Sequence, residues 1–228
     1  MRRLPMSRPV SGVLASVLLS LALAACSSGP PTPAWQMSAR SSLDAAAVAW
    51  LEGRDAVEAA EFTRARAAVA RTGQLDLIAR TELHRCALRV ATLVFAPCAG
   101  FDALATDATP EDAAYARYLA NRLQPGDAER LPPAHRAALT ATDPAAALRG
   151  VEDPVTRLVA AGAALQRAQA SPALVQLAVD TASVQGWPRP LLAWLLVQQR
   201  TAQAAGDTAT AERLQRRIDA VAPRATVR

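Results

Sequence analysis

Apolar residues recur every three to four positions through the first half of the chain beyond residue 41, and this spacing predicts amphipathic α-helices. Asp55 followed by Glu58 has the pattern of a capping box and predicts the start of the second helix. Pro97 ends the third. The three apolar stripes are Leu43, Ala47, Trp50 and Leu51; Val57, Phe62, Ala65 and Val69; and Leu75, Ala79, Leu83, Cys86, Val90 and Leu93.

The second half of the chain is divided by dipeptides that pair a capping side chain with proline. They are Thr109-Pro110, Asp143-Pro144, Asp153-Pro154 and Ser171-Pro172. Each predicts a helix start, because proline at the first helical position loses no hydrogen bond. The predicted helices cover 110–123, 133–141, 144–149, 154–169, 172–185, 189–205 and 208–221. No stretch is long enough, with apolar and polar residues alternating, to predict a β-strand. The predicted fold is therefore all-α, with short connections between antiparallel neighbouring helices.

Residues 190–223 carry a faint repeat signal. Leu195 and Ala202 lie on a first helix, Gly206-Asp207 forms the turn, Ala211 lies on the second helix and Pro223 follows it. This pattern resembles a tetratricopeptide unit, in which stacked helical hairpins bury a continuous core. Gln215 departs from it, because that family usually has a large apolar residue there. Two architectures therefore stay open: a tetratricopeptide-like α-solenoid and an irregular helical bundle, both built from stacked antiparallel hairpins.

The first 25 residues have the pattern of an export signal. Arg2, Arg3 and Arg8 precede an apolar run over 10–23, which is shorter than the roughly 20 residues of a membrane-spanning helix. The run ends in Leu23-Ala24-Ala25-Cys26, which resembles the lipobox of bacterial lipoproteins. The resemblance implies cleavage before Cys26 and acylation of that residue with fatty acids such as palmitate. In that family Asp after the cysteine favours the inner membrane, so Ser27 implies the outer membrane, facing the periplasm.

The expected organisation is a signal over 1–25, a lipidated cysteine with a flexible Pro- and Ser-rich tether over 26–40, and a periplasmic helical domain over 41–228. Trp35 and Met37 are expected to dock onto that domain. An alternative for Trp35 is a position at the membrane interface. The whole chain carries a formal net charge of +5, but residues 1–25 hold three Arg and no acid. Residues 26–228 are therefore nearly neutral, and no basic surface indicates nucleic-acid binding.

Cys86 and Cys98 form an even pair once Cys26 carries lipid. Exported compartments are oxidising, so a disulfide between them is predicted. Twelve residues of separation are too many for a redox Cys-x-x-Cys motif. A structural bridge closing a loop of this size would contribute roughly 3 kcal/mol.

The sequence contains no recognisable catalytic constellation, cofactor motif or metal motif. His84 has no second histidine one helical turn away, and both it and His135 are expected to be half-exposed structural residues. Glu52, Glu58, Glu61 and Glu82 could supply the two carboxylates of a glycosidase. However, all four are expected at solvent-facing helical positions.

The leading hypothesis is a non-catalytic, outer-membrane-anchored scaffold that binds other envelope proteins. The alternative is a peptidoglycan-acting, glycosidase-like enzyme. Trp187-Pro188-Arg189-Pro190 is expected to lead into the helix that carries Trp194. Five arginines near the C-terminus form either a solvated helix face or a contact with anionic headgroups; they are Arg213, Arg216, Arg217, Arg224 and Arg228.

Overall fold

The computed structural model describes residues 31–222, and these contain twelve α-helices and no strand. The all-α prediction is confirmed. In chain order the helices are α1 (Ala34–Leu51), α2 (Asp55–Ala70), α3 (Leu75–Ala91), α4 (Ala99–Asp102), α5 (Pro110–Leu119), α6 (Asp127–Arg130), α7 (Pro133–Thr140), α8 (Pro144–Arg149), α9 (Pro154–Gln166), α10 (Pro172–Gln185), α11 (Pro188–Ala204) and α12 (Thr208–Val221).

The predicted helix starts of the second half are confirmed by their caps. The side chains of Thr109, Asp143, Asp153 and Ser171 each accept a hydrogen bond from a backbone N–H two or three residues later, and proline follows each cap. Two predicted ends are wrong. Helix α5 ends before Asn121 and α9 before Ala168, because both residues adopt a positive φ that terminates a helix. The one-turn helices α4 and α6 were not predicted.

The N-terminal half needs more correction. Helix α1 begins at Ala34, so the flexible tether predicted through residue 40 is too long. Trp35 docks on the domain, one of its two predicted alternatives, against a small cluster that includes Val69 and Ile78. Leu75, which the third stripe places on the buried face, is 45% exposed.

The predicted capping box at the start of α2 is wrong. Arg54 occupies the N-cap position without a side-chain hydrogen bond, and Asp55 is the first helical residue. Glu58 is 4% exposed, while Val57, predicted to be buried, is 40% exposed. Phe62, Ala65 and Val69 are buried as predicted, so the stripe is wrong only at its first position, where Glu58, paired with Arg85 of α3, is buried instead of Val57.

The core is built around α3 and α9, which lie far apart in the sequence but pack against each other. Seven consecutive residues of α9, from Leu158 to Ala164, are buried, and α9 also contacts α7, α8 and α10. At Gly162 the two helices approach so closely that a Cβ atom would lie 2.3 Å from the carbonyl oxygen of Val90. Small residues on α9 thus permit a helix that is enclosed on all sides.

Two tryptophans from distant parts of the chain bind the C-terminal end of α3, where carbonyl groups lack partners within the helix. The indole Nε1 of Trp50 donates to Leu88 O at 3.1 Å and to Thr92 Oγ1 at 3.2 Å. The fully buried Trp194 of α11 donates to Ala91 O at 3.4 Å. Helices α1 and α11 are thereby fixed to the same end of the central helix.

Helices α9 to α12 pack in sequence, each against the next. The hairpin predicted from the tetratricopeptide resemblance is present: Gly206 has a φ of 72° at the turn, and the Asp207 side chain caps α12 by accepting from Thr210 N. Ala202 and Ala211 are both buried. Pro223 lies outside the described residues. The structure thus combines bundle-like packing of α3 with α9 and sequentially stacked hairpins at the C-terminal end.

Candidate binding grooves

The two cysteines predicted to pair are joined in the structure. Cys86 lies on α3, Cys98 is the residue before α4, and their Cα atoms are 5.9 Å apart. The bridge ties the segment after Pro97 back onto the central helix. Cys26 and Ser27, with the signal and the first part of the tether, lie outside the described residues, so the predicted lipidation site remains a prediction.

The two histidines differ in their surroundings. His84 is half-buried, as expected, and burial lowers its pKa. His135 is only 4% exposed, so its predicted half-exposure is wrong. Its Nε2 lies 3.2 Å from the hydroxyl of Tyr115, and its ring packs against the rings of Tyr115 and Tyr118. This burial lowers the pKa of His135 to about 4, so the ring is neutral near pH 7.

The four glutamates that could have supplied paired carboxylates each lie against an arginine. Glu58 receives two hydrogen bonds from Arg85, at 2.6 and 2.8 Å. Glu58 and Glu82, whose side chain is 12% exposed, are not solvent-facing as predicted. Their burial is allowed because each has a guanidinium partner. The ion pairs are Glu52–Arg54, Glu58–Arg85, Glu61–Arg64 and Glu82–Arg66.

A further buried ion pair has no signal in the sequence. Asp127 at the start of α6 is 2% exposed and accepts from Arg117 at 2.8 and 2.5 Å and from Gln124 N at 2.8 Å. The hydrogen bonds from Arg117 are the main reason why the pKa of Asp127 falls to about 2. The pair fixes the short helix α6 against α5, a structural role.

One cavity of about 500 Å³ borders the disulfide, and we call it the disulfide groove. Most of its lining residues are apolar, and the charged residues Asp102, Arg117 and Arg122 also line it. The side-chain oxygen of Gln166 in this groove is buried and has no hydrogen-bond partner among residues 31–222. The residues that define the groove are Leu83, Cys86, Cys98, Phe101, Leu119 and Gln166.

A second cavity, of about 510 Å³, lies between α10, α11 and α12, and we call it the C-terminal groove. Its lining includes the apolar residues Val175, Val197, Ala202 and Leu214 and the polar or charged residues Gln176, Gln198, Thr201, Asp207, Thr210, Arg213 and Arg217. The side chains of Gln198 and Gln176 are joined by a hydrogen bond of 2.8 Å. This volume is within the range of ordinary ligand pockets.

The fold explains why the groove forms where it does. In antiparallel packing, the N-terminal ends of α10 and α12 lie beside the C-terminal end of α11. Small residues of α11, Ala202 and Ala205, line the cavity there. Gln215, which departs from the tetratricopeptide pattern, accepts a hydrogen bond of 2.7 Å from Gln199 of α11. A polar pair between α11 and α12 thus replaces the apolar contact that the tetratricopeptide pattern would place there.

The arginines near the C-terminus do not act as one cluster. Arg213 and Arg217 line the C-terminal groove, whereas Arg216, exposed on the same helix, does not. Arg224 and Arg228 lie outside the described residues. Arg189, from the Trp187–Pro190 segment, lies 3.8 Å from the ring centroid of Trp50 and also contacts Asp55. That segment therefore leads into α11, as expected, and also joins α11 to the first hairpin.

Comparison of the chain with protein-family models, with characterised proteins and with solved structures finds no match. Among the helices of residues 31–222, none combines the length and the hydropathy needed to cross a membrane. Within the same residues, no group of three or more His, Cys, Asp or Glu is arranged to hold a metal ion. The two grooves are thus the features from which a function can be argued.

Proposed function

We propose that this protein is a lipoprotein of the outer membrane, anchored through Cys26, whose periplasmic helical domain binds another envelope protein in the C-terminal groove. The observation that carries the binding proposal is the groove itself. It combines an apolar floor with amide, hydroxyl and guanidinium groups, the mixture by which a protein surface holds a polypeptide. The lipid anchor rests on the lipobox resemblance of Leu23-Ala24-Ala25-Cys26.

The Cys86–Cys98 disulfide supports export, because bridges of this kind persist in oxidising compartments such as the periplasm. Ser27 supports sorting to the outer membrane, again by resemblance. Separation of the two membranes on a density gradient tests the sorting. Recovery of the protein with the inner membrane would contradict the assignment to the outer one.

The ion pairs of the glutamates also favour a binding role over the alternative of a peptidoglycan-acting, glycosidase-like enzyme. A glycosidase needs one carboxylate to protonate the leaving oxygen and a second on the opposite side of the sugar ring. In Glu58, both carboxylate oxygens accept hydrogen bonds from Arg85, and the nearby Glu82 is held by Arg66. These carboxylates stabilise contacts between α2 and α3.

Site-specific crosslinking in living cells tests the binding role. A photoreactive amino acid at Thr201, which lines the groove, should give a crosslinked product of defined mass. The matched control is Val184, which is 83% exposed on α10 and does not line the groove. Products at Thr201 and not at Val184 are expected. No product at Thr201, or the same products at both positions, would refute the proposal.

A further inference from the structure

The C-terminal groove has a positively charged wall. Arg213 and Arg217 lie four residues apart on α12, so both side chains extend from the same face of the helix. Both residues are exposed, and neither forms an ion pair within residues 31–222. The one hydrogen bond of Arg213 goes to the hydroxyl of Thr210, at 3.1 Å. Two guanidinium groups are therefore available to a ligand.

One acidic side chain, that of Asp207, also lines the groove, so Asp207, Arg213 and Arg217 together leave it a net charge of +1. The Asp207 carboxylate accepts from the backbone N–H of Thr210 at 2.9 Å and caps α12. That backbone hydrogen bond is the main reason why the pKa of Asp207 is lowered. The N-terminal ends of α10 and α12 add partial positive charge at this end of the groove, and the C-terminal end of α11 beside them adds partial negative charge. The net positive charge of the groove therefore comes from Arg213 and Arg217, and it favours an anionic ligand.

The remaining lining defines the shape of the ligand. Val175, Val197 and Leu214 offer apolar surface at the floor, and Gln198 and Thr201 offer hydrogen-bonding groups beside it. An extended peptide has backbone groups that need such partners, and its alternate side chains point in opposite directions. Side chains on one side of the peptide can therefore pack on the apolar floor, while carboxylates on the other side contact Arg213 and Arg217.

We propose that the C-terminal groove binds an extended acidic segment of the partner protein, with carboxylates against Arg213 and Arg217 and aliphatic side chains on the apolar floor. This inference rests on the proposed function, which assigns the groove to protein binding. A membrane surface is the competing source of negative charge. The geometry favours the peptide, because a flat bilayer would meet the exposed Arg216 as readily as the two arginines inside the concave groove.

A displayed library of random octapeptides, selected against the full-length protein in the form that cells produce, tests the inference. We expect the selected sequences to share Asp or Glu next to Leu, Val or Ile. Selection of peptides without acidic residues, or no enrichment over an unselected library, would overturn the inference. Crosslinking at Thr201 separates this outcome from failure of the proposed function, because a groove that holds a neutral partner segment would still give a crosslinked product.

Charge reversal identifies the residues involved. The double variant Arg213→Glu with Arg217→Glu should weaken binding of the best selected peptide by at least tenfold, since each charge-assisted contact is lost and repulsion replaces it. Arg216→Glu reverses one charge on the same helix outside the groove and should alter Kd less than twofold. Equal effects of the double variant and the control would refute the assignment. Because the altered side chains are exposed, an unchanged Tm serves as the folding check.

Binding to lipid vesicles tests whether the arginines contact a membrane surface instead of a peptide. Vesicles of phosphatidylglycerol and phosphatidylcholine, and of phosphatidylcholine alone, are mixed with the same three proteins, each of which also carries Cys26→Ala so that no acyl chain is attached. Any uncleaved signal over residues 1–25 is then common to all three proteins, and only differences among them are compared. Under the inference, the two groove substitutions do not change binding to the anionic vesicles. Binding to anionic vesicles that falls with Arg216→Glu as much as with the groove variants would assign the arginines to the membrane and overturn the inference.

Discussion

Gly162→Ala tests the central contact of the fold. A Cβ atom at position 162 would lie 2.3 Å from the carbonyl oxygen of Val90, 3.1 Å from its carbonyl carbon and 3.2 Å from its Cγ1. The nearest of these is a backbone atom of α3, which cannot rotate away as a side chain could. Since unstrained contacts need about 3.5 Å, α3 and α9 would have to separate by roughly 1 Å.

The expected cost follows from two opposing effects. Replacing glycine by alanine within a helix stabilises it by about 1 kcal/mol. Overpacking in a close-packed core costs about 1–3 kcal/mol. The upper end of this range applies, because moving α9 disturbs the buried run from Leu158 to Ala164. The net destabilisation should be about 2 kcal/mol, which for a domain of this size lowers Tm by roughly 4–8 °C.

Urea unfolding followed by circular dichroism measures this difference, with Gly150→Ala as the matched control. Gly150 ends α8 with a φ of −85°, and a Cβ there would meet nothing within 4 Å. The control should therefore change the free energy of unfolding by less than about 0.5 kcal/mol. If Gly162→Ala is as stable as the wild type, α3 and α9 do not approach each other as closely as the structure shows.

Three further predictions concern the disulfide, a buried histidine and the anchor. The double variant Cys86→Ser with Cys98→Ser should lower the free energy of unfolding by roughly 3 kcal/mol and Tm by several degrees, without abolishing folding or partner binding. Thiols are counted in wild-type protein that is acid-quenched and then denatured without reduction, and two free thiols per chain would disprove the bridge. Because the folded pKa of His135 lies at about 4, below its ordinary 6.5, the unfolded chain takes up the proton first. The free energy of unfolding should therefore fall by up to about 3 kcal/mol between about pH 6.5 and 4, and His135→Gln should flatten this slope in denaturation curves measured across that range; an unchanged slope would contradict the assignment. Cys26→Ala should leave the protein unprocessed or released from the membrane, and labelling with a fatty-acid analogue should mark the wild type but not the variant; an unlabelled wild type would show that Cys26 carries no lipid.

The features that the sequence determined are local. The helix starts at Pro110, Pro144, Pro154 and Pro172 were predictable because a cap and its backbone N–H partner lie two or three residues apart. The disulfide pairing followed from the two cysteines left after Cys26. The turn at Gly206-Asp207 was also predictable, because glycine permits the positive φ found there.

Tertiary structure decided which polar groups are buried and where ligands can bind. Glu58 is buried because Arg85, 27 residues away, reaches it, and Asp55 contacts Arg189 across 134 residues. No spacing rule within one helix predicts such partners. The C-terminal groove also depends on contacts between helices. Its arginines can be identified in the sequence, but only the packing of α10, α11 and α12 determines that Arg213 and Arg217 line the groove and Arg216 does not. Local hydrogen bonds can be predicted from neighbouring residues, whereas burial and cavities depend on contacts between segments that are distant in the chain.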